Sequence, residues 1–395
     1  MCAESVVRRT YRYRIYPTVE QRRRLEAHFL FACELYNAAL EQRRDAWRRR
    51  RQSISYFAQC RELTDVRKGG MGPPGMSCHA MRDPLRRLDL AFAAFFRRAK
   101  VGERAGYPRF RSARRYDSLS WDTGFALRYD RLSIKAIGHL KVKLHRKLPS
   151  GAVARTATVH RTAGRWYACL SLTVQRAAAP AEGSRPAVGI DLGVQHFATL
   201  STGEQIAGPR PFRVSARSLR IAQRRVSRRM KGSHRRRKMQ LIVARKYERI
   251  RNLRHDHAHK LARRIVSAFG LVAVEDLRIS GLAAGSFAKD VRDQAWGHFL
   301  AILEYKADEA GTQVVKVAPW GTSQACSGCD SLVSKMLSER THVCAKCGLT
   351  IDRDLNAARN ILRLGLSRQA LTLSLGRALP EKADLASQVS HGPRL

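Results

Sequence analysis

The stretch VGIDLGVQHFATLS, residues 188–201, decides the fold class predicted for this chain. Its apolar opening indicates a buried strand that delivers a carboxylate, Asp191, to the edge of a sheet. LVAVEDL (271–277) repeats the arrangement, because Glu275 also follows an apolar run. Helical patterns separate the predicted strands, which span 188–200, 270–274 and 313–318. This alternation predicts an α/β core.

A third acid stands at the start of a predicted helix, in DRDLNAARNIL (352–362). Carboxylates that converge from separate elements repel one another, but two Mg²⁺ ions about 3.5–4 Å apart would neutralise them and clamp a phosphodiester for hydrolysis. The candidate catalytic and metal-binding acids are Asp191, Glu275 and Asp354. Helix capping is the alternative role for Asp354, and Asp276 and Asp352 are neighbouring acids. The order and context of all three acids favour the catalytic interpretation.

Two CxxC turns, CSGC (326–329) and CAKC (344–347), are separated by fourteen residues. Two such turns supply four thiolates to a tetrahedral Zn²⁺ and leave no position open for water, so a structural zinc is predicted. Its ligands would be Cys326, Cys329, Cys344 and Cys347. A redox motif is the alternative. The other five cysteines are scattered singly, which favours a reducing, cytoplasmic location over a disulfide scaffold.

The chain has 75 Lys and Arg against 32 Asp and Glu, a formal net charge of +43. Such a charge repels itself unless a polyanion lies among the side chains, so nucleic acid is the expected partner. A solvated cationic surface or anionic lipid is the alternative. The sequence has no apolar run of about 18 residues and no signal-peptide pattern, so we expect no membrane partner. We also expect no small-molecule substrate.

The most basic segment, 213–238, contains twelve Lys or Arg residues and no acid. Backbone phosphates are the natural ligand of such a helix face, and a solvated face is the ordinary alternative. NLRHDHAHK (252–260) adds further cations, and its histidines are interpreted as polar surface groups. The candidate phosphate contacts are Arg235, Arg236, Arg237, Lys238, Arg254 and Lys260.

Aromatic and basic residues interleave in GYPRFRSARRY (106–116). This pattern suits rings that stack on bases while guanidinium groups pair with phosphates. Burial of the rings in a core is the alternative. The candidate residues are Tyr107, Arg109, Phe110 and Arg111.

The amino-terminal part combines strands with a helical insertion. A first strand closes at Pro17, and Thr18 and Gln21 have the spacing of a capping box that opens a helix. Apolar residues then recur at helical spacing to about residue 100. Between 117 and 178 they alternate with polar residues, as in the short antiparallel strands of a small barrel.

Two segments lack a sustained pattern. AAAPAEGSRP (177–186) is rich in Ala and Pro and is a predicted linker. Residues 369–395 are expected to form a poorly ordered tail.

In combination these segments resemble the TnpB proteins, the RNA-guided nucleases of insertion sequences. GIDLGVQHFATLS, VAVEDLRISGL, TSQACSGC, CAKCG and DRDLNAARNIL occur in the family's order, and YRIYPTVEQRRRLEAHFLFACELYNAAL and GYPRFRSARRY are also similar. The resemblance extends to about residue 366. Asp330 departs from it where glycine is common, and Trp320 and Gly321 stand where the family often has other residues.

The resemblance implies an α/β RNase H-like (RuvC) core whose catalytic acids are Asp191, Glu275 and Asp354, with the zinc ribbon inserted before the third. It also implies an N-terminal wedge β-barrel interrupted by an α-helical recognition bundle. The expected domains are a wedge barrel at 1–17 and 117–178, a helical recognition domain at 18–116, a RuvC-like domain at 184–322 and 351–368, a zinc ribbon at 323–350 and the tail at 369–395.

The function implied is RNA-guided, Mg²⁺-dependent cleavage of DNA next to a short flanking motif. The expected partners are a guide RNA from the transposon end and double- and single-stranded DNA. Three alternatives stay open: a compact type V CRISPR effector with the same core, a transposase that joins transposon ends without RNA, and a nuclease-dead DNA-binding repressor. The intact acids count against the repressor.

Overall fold

The computed structural model describes residues 6–175, 185–278, 281, 288–336 and 339–378. The chain divides into two compact units, Met1–Arg176 and Ala177–Leu395, and each has its own hydrophobic core. Most of the linker predicted at 177–186 lies outside the described residues. Among the helices that the structure describes, none is long and apolar enough to cross a membrane.

The helices of the first unit follow the predicted helical stretch. They are α1 (Val19–Arg50), α2 (Tyr56–Lys68) and α3 (Cys78–Lys100). The predicted capping box opens α1: Gln21 N donates to Thr18 Oγ1 at 3.3 Å, and Thr18 N donates to Gln21 Oε1 at 3.0 Å. Leu25 and Leu40 belong to the buried side of α1. The apolar period of the sequence therefore marks the side of α1 that faces the core.

The strands of the first unit are β1 (Val6–Tyr16), β2 (Ser118–Trp121), β3 (Phe125–Arg128), β4 (Arg131–Ile134), β5 (Gly138–Lys143), β6 (Val153–Thr162) and β7 (Arg165–Gln175). They form an antiparallel sheet in the order β2-β6-β7-β1-β5-β4-β3. β1 lies between β7 and β5, so the chain leaves this sheet for the three helices and then returns to it. α1 packs on the sheet where Phe29 meets Trp166, with ring centroids 5.7 Å apart.

The second unit contains the predicted α/β core. The strands of this core are β8 (Ala187–Asp191), β9 (Ala198–Leu200), β10 (Gln205–Ile206), β11 (Leu271–Glu275) and β12 (Gln313–Val317). Two further strands, β13 (Thr341–Val343) and β14 (Thr350–Asp352), pair antiparallel in a separate sheet. The helices of the unit are α4 (Pro211–Ser227), α5 (His234–Ala268), α6 (Ala288–Gln294), α7 (Trp296–Ala310) and α8 (Arg353–Ala378). The sheet order is β10-β9-β8-β11-β12, and β8, β11 and β12 run parallel.

The strand predicted at 188–200 is two antiparallel strands. β8 ends at Asp191, and β9 begins at Ala198. Gly193 lies in the connection, where an added Cβ would approach the carbonyl oxygen of His196 to 3.1 Å. A tight reversal of the backbone therefore ends the first strand directly after its acid.

The tail predicted at 369–395 is helical in its first ten residues, because α8 runs on to Ala378. Residues 369–378 are rich in Ala, Leu, Gln and Arg, which favour helix. Pro380 is the first proline after them, and proline disfavours helical geometry in the residue before it. Residues 379–395 lie outside the described residues.

Helix α8 packs on the sheet through two glycines. An added Cβ at Gly189 of β8 would lie 2.1 Å from the carbonyl oxygen of Ala358 and 2.6 Å from the backbone nitrogen of Leu362. At Gly365 of the helix it would lie 2.4 Å from the Cβ of Ala273 in β11. Since glycine has no side chain, the backbones can approach this closely. The two glycines thus set the distance between α8 and the parallel strands.

We expect Gly189→Ala to destabilise the second unit, because the new methyl group would overlap the backbone of α8. Overpacking costs about 1–3 kcal/mol in general, and a rigid neighbour places this site at the upper end. Urea or thermal unfolding measures the loss. The matched control is Gly281→Ala, where an added Cβ would meet no atom of the described residues within 4 Å. Equal stability of the two variants would contradict the close approach.

Candidate active site and zinc cluster

The three predicted catalytic acids lie at one end of the parallel strands. β8 and β11 are neighbours, with Ile190 opposite Val274, and they end in Asp191 and Glu275. Asp354 lies in the first turn of α8, which packs on both strands. Glu275 and Asp354 are close enough to Asp191 to raise its pKa. The fold therefore brings the three carboxylates together.

The cluster is electrostatically unfavourable when it is fully ionised. Burial, followed by the charges of Glu275 and Asp354, raises the pKa of Asp191 to about 8. Burial also raises the pKa of Glu275, and a hydrogen bond from Thr322 Oγ1 to Glu275 Oε1, at 2.6 Å, opposes that shift. Divalent cations relieve such repulsion, and Mg²⁺ prefers carboxylate oxygen ligands. The chemistry of these three donors suits Mg²⁺, but among the described residues only the four cysteines are already grouped closely enough to hold an ion.

A different acid caps α8. Asp352 Oδ1 accepts hydrogen bonds from the backbone nitrogens of Asp354 and Leu355, at 2.9 and 3.1 Å. The capping role that the sequence left open for Asp354 thus belongs to Asp352. Asp276, the other neighbouring acid, is exposed.

Two arginines that the sequence pattern did not single out lie beside Asp354. Arg340 Nη1 is 3.5 Å from one carboxylate oxygen, and Arg353 Nε is 3.4 Å from the other. Arg353 also donates from its backbone nitrogen to the carbonyl oxygen of Arg340 at 2.7 Å. The segment before α8 therefore places positive charge next to the acids.

The four cysteines form one cluster. Their sulfur atoms all lie within 4.8 Å of one another, and the Cys326–Cys347 and Cys329–Cys344 pairs are 3.6 Å apart. A tetrahedral Zn²⁺ with Zn–S bonds of about 2.3 Å places its sulfurs about 3.8 Å apart. The spacing suits one structural zinc, with every coordination position filled by protein.

The residue that closes each cysteine turn differs between the two turns. Gly348 closes the second turn with φ of 73°, and Asp330 takes the same left-handed conformation in the first, with φ of 64°. Aspartate is among the few side chains that tolerate this region. Its carboxylate also forms an ion pair with Arg363 of α8. The aspartate that replaces a common glycine is therefore accommodated and joins the ribbon to the helix.

Two buried asparagines attach the first cysteine turn to α8. Asn356 donates to the carbonyl oxygen of Ala325 at 2.7 Å and accepts from the backbone nitrogen of Ser327 at 2.9 Å. Asn360 donates to the carbonyl oxygen of Thr322 at 2.9 Å. Because Thr322 also bonds the acid of β11, the ribbon, the helix and the acids share one network. Sequence reasoning missed both asparagines, although a spacing of four puts them on one helix face.

Two of the candidate phosphate contacts have partners inside the fold. Arg236 donates to the carbonyl oxygens of Val226 and Arg229, at 2.9 and 2.8 Å, and so caps the end of α4. Arg254 forms a 2.8 Å ion pair with the buried Asp293. These two arginines stabilise the second unit. The exposed candidates are Arg235, Arg237, Lys238 and Lys260, of which Lys260 forms a surface ion pair with Asp256 at 2.8 Å.

The aromatic and basic segment of the first unit is held against α1. Asn37 bonds both the backbone nitrogen and the carbonyl oxygen of Arg111, at 2.7 and 2.9 Å. Tyr107 and Phe110 keep 43% and 47% of their surfaces exposed, and Arg109 is also exposed. Neither ring is a core residue, so the segment remains a candidate for stacking on bases.

Three family models match the chain. They are described as "Probable transposase", matching residues 169–284, "Cas12f1-like, TNB domain", matching 296–361, and "Helix-turn-helix domain", matching 1–52. The second range contains the four cysteines and Asp354. The third description does not fit this structure, because residues 19–50 form one continuous helix after β1.

Related proteins match across most of the chain. A protein of Streptomyces pristinaespiralis named "Putative RNA-guided DNA endonuclease" is 37% identical over 92% of this chain and 91% of its own. InsQ of Escherichia coli K12, which has the same description, is 29% identical over 72% and 74%. A chain of the solved Cas12f1–sgRNA–target DNA complex covers 90% of this chain and 98% of its own length, with a TM-score of 0.61 and 14% identity. The last likeness is one of fold.

We expect the acid cluster to make the Mg²⁺-free protein less stable as pH rises. The pKa of Asp191 is raised from 3.8 to about 8, so the folded state holds this proton more tightly than the unfolded chain. The contribution of this proton to the free energy of unfolding is fully present below a pH of about 4 and is lost as the pH approaches 8.

Asp191→Asn stays neutral, so the Tm of this variant minus that of the wild type, measured without Mg²⁺, should increase between about pH 4 and 8. Added Mg²⁺ should raise the wild-type Tm at pH 8. A Tm difference that does not change with pH would contradict the raised pKa.

We expect one Zn²⁺ per chain, and its loss in Cys344→Ser. A small ribbon has little core of its own, so the same variant should become more sensitive to proteolysis between residues 323 and 350. Elemental analysis measures the metal content. Cys169→Ser, outside the cluster, is the control that should retain zinc. A zinc-free native protein would rule out the assignment.

Proposed function

The chain belongs to the TnpB family of RNA-guided DNA endonucleases, and we propose that it cuts DNA with one RuvC-like site formed by Asp191, Glu275 and Asp354. The names of its relatives support the reaction class, a metal-dependent endodeoxyribonuclease. The TM-score of 0.61 supports the RNase H-like core. The observation that carries the residue assignment is the placement of three carboxylates at one end of the sheet, where Glu275 and Asp354 are near enough to raise the pKa of Asp191.

The acids would hold two Mg²⁺ ions, whose chemistry is to activate water and stabilise the leaving oxygen of a phosphodiester. The carboxylates would become fully ionised once a cation relieves their repulsion. Thr322 fixes one oxygen of Glu275 and leaves the other for a ligand. Arg340, with a side chain 45% exposed beside Asp354, offers its guanidinium to a phosphate.

Sequence choice would come from base pairing with a guide RNA, while the protein recognises helix shape and a short flanking motif. The proposed partners are a guide RNA from the transposon end, the target duplex and the single strands that it releases. Arg235, Arg237 and Lys238 project from the start of α5 and would contact phosphates of the RNA or of the guide–target duplex.

The domain assignment is also proposed. Residues 1–17 and 117–178 would form the wedge barrel around a helical recognition domain at 18–116, and β1 supports this, because it pairs with strands from beyond the helices. The RuvC-like domain would comprise 184–322 and 351–368. The ribbon at 323–350 would lie between them in sequence, where the cysteine turns stand.

RNA dependence separates this proposal from its alternatives. A strand transferase, toward which the description "Probable transposase" points, would join transposon ends without RNA. A compact type V CRISPR effector would cut in the same way with an RNA from a repeat array, so sequencing the RNA that co-purifies with the protein identifies the source. A repressor would bind DNA without cutting it.

We expect Asp191→Asn, Glu275→Gln and Asp354→Asn each to abolish cleavage in Mg²⁺ and to leave guide and target binding largely unchanged. Each change removes a metal ligand and no phosphate contact. Cleavage and gel-shift assays on the same ribonucleoprotein measure both effects. Asp276→Asn, at an exposed acid next to Glu275, is the control that should cut normally. Full-rate cutting by one of the three variants would remove that residue from the site.

Replacing Arg235, Arg237 and Lys238 together by Gln should weaken RNA binding for any guide sequence. Each lost phosphate contact should flatten the slope of log affinity against log salt by roughly 0.7–0.9 units. Titration of RNA across a salt series measures the slope.

Arg236→Gln is the matched control. It should chiefly lower the Tm, since Arg236 caps α4. An unchanged slope in the triple variant would show that these cations are only solvated.

A further inference from the structure

Trp320 is 82% exposed, against 52% for Trp47, the other exposed tryptophan of the described residues. Burial of a large aromatic side chain stabilises a protein, and an indole left in solvent contributes little to the fold. Its packing within the second unit therefore does not account for the presence of tryptophan at this position.

Trp320 follows β12 at the end of the sheet that carries the acids. β12 is parallel to β11, so Val317 at its end lies beside Glu275 in the register. The loop is fixed on both sides of the indole: the carbonyl oxygen of Val317 accepts from Asp276 N at 2.8 Å, and Thr322 donates to Glu275 at 2.6 Å. Consecutive Cα atoms are about 3.8 Å apart, so Trp320 Cα lies within about 7.6 Å of Thr322 Cα.

We propose that Trp320 stacks on an unpaired nucleobase of the DNA strand whose phosphate enters the acid cluster. This inference rests on the proposed function. It makes Trp320 a positioning residue, because the indole would hold the strand while the acids carry the metals.

The ligand class follows from the chemistry of the loop and its surroundings. An indole reaches the face of a base only where that base is unstacked, which favours a single strand over a duplex. Arg340, which lies beside Asp354, would attract the phosphates of a strand bound there. Stacking accepts every base, so the contact would position the strand without reading its sequence.

The test uses the whole chain in complex with its co-purifying RNA. The guide segment of that RNA is matched to a test duplex. Cleavage is measured under single-turnover conditions on intact DNA and on a series of DNAs. Each DNA of the series has a single abasic nucleotide at a different position of one strand near the cut. We expect one abasic position to raise the half-saturating DNA concentration roughly 5- to 150-fold in the wild type, with a smaller change in the maximal rate.

Trp320→Leu keeps apolar bulk without an aromatic face, and Trp320→Phe keeps the face. With intact DNA, Trp320→Leu should need the same increased half-saturating DNA concentration that the wild type needs with abasic DNA. For Trp320→Leu, changing from intact to abasic DNA should not increase this concentration further. Trp320→Phe should recover most of the affinity. Both variants should keep the wild-type Tm, since the side chain is exposed.

Three results would overturn the proposal. Trp320→Leu that cuts with the wild-type concentration dependence would remove Trp320 from the DNA path. If the effects of Trp320→Leu and of the abasic nucleotide on the half-saturating DNA concentration are additive, Trp320 does not stack on that base. A change in sedimentation of Trp320→Leu without a change in cleavage would make the indole a contact between proteins. Failure of the wild type to cut any guided target would instead refute the proposed function, so the two failures are distinguishable.

Discussion

Helix α8 lies on the sheet at a distance that only glycine permits, and the functional half of the molecule depends on that contact. Gly189 and Gly365 let the helix backbone approach β8 and β11, and the first turn of the helix then delivers Asp354 to the acids that end those strands. Asp191 holds its proton until the pH approaches about 8, so a cation that binds the acids would displace this proton and keep the ionised carboxylates together.

The same helix integrates the zinc cluster. Asn356 and Asn360 bond the first cysteine turn, Arg363 pairs with Asp330, and Thr322 extends the network to Glu275. Metal binding to the ribbon and the orientation of an acid are therefore connected through a few buried polar groups. A structural zinc in this arrangement would also help to hold Glu275 in place through Thr322.

The sequence predicted the features that local patterns determine and missed those that depend on distant partners. An acid after a buried strand and two CxxC turns are local, so Asp191, Glu275 and the cysteines could be singled out by pattern alone. Whether Asp354 caps α8 depends on side-chain direction, and the sequence left that question open, whereas the structure gives the cap to Asp352. Arg236 and Arg254 were indistinguishable from exposed arginines, because their acceptors are set by tertiary packing. A run of positive charge therefore contains residues that support the fold as well as residues free to meet phosphate.

The central position of β1 has a consequence for synthesis on the ribosome. β1 is complete at Tyr16, but its sheet neighbour β7 ends only at Gln175. At about 5–20 residues per second, the nascent strand waits roughly ten to thirty seconds for this partner while α1 can already form. An unpaired strand is prone to aggregation, and flanking charges are the usual protection. The arginines at positions 8, 9, 12 and 14 would keep this strand soluble until the rest of the sheet is made.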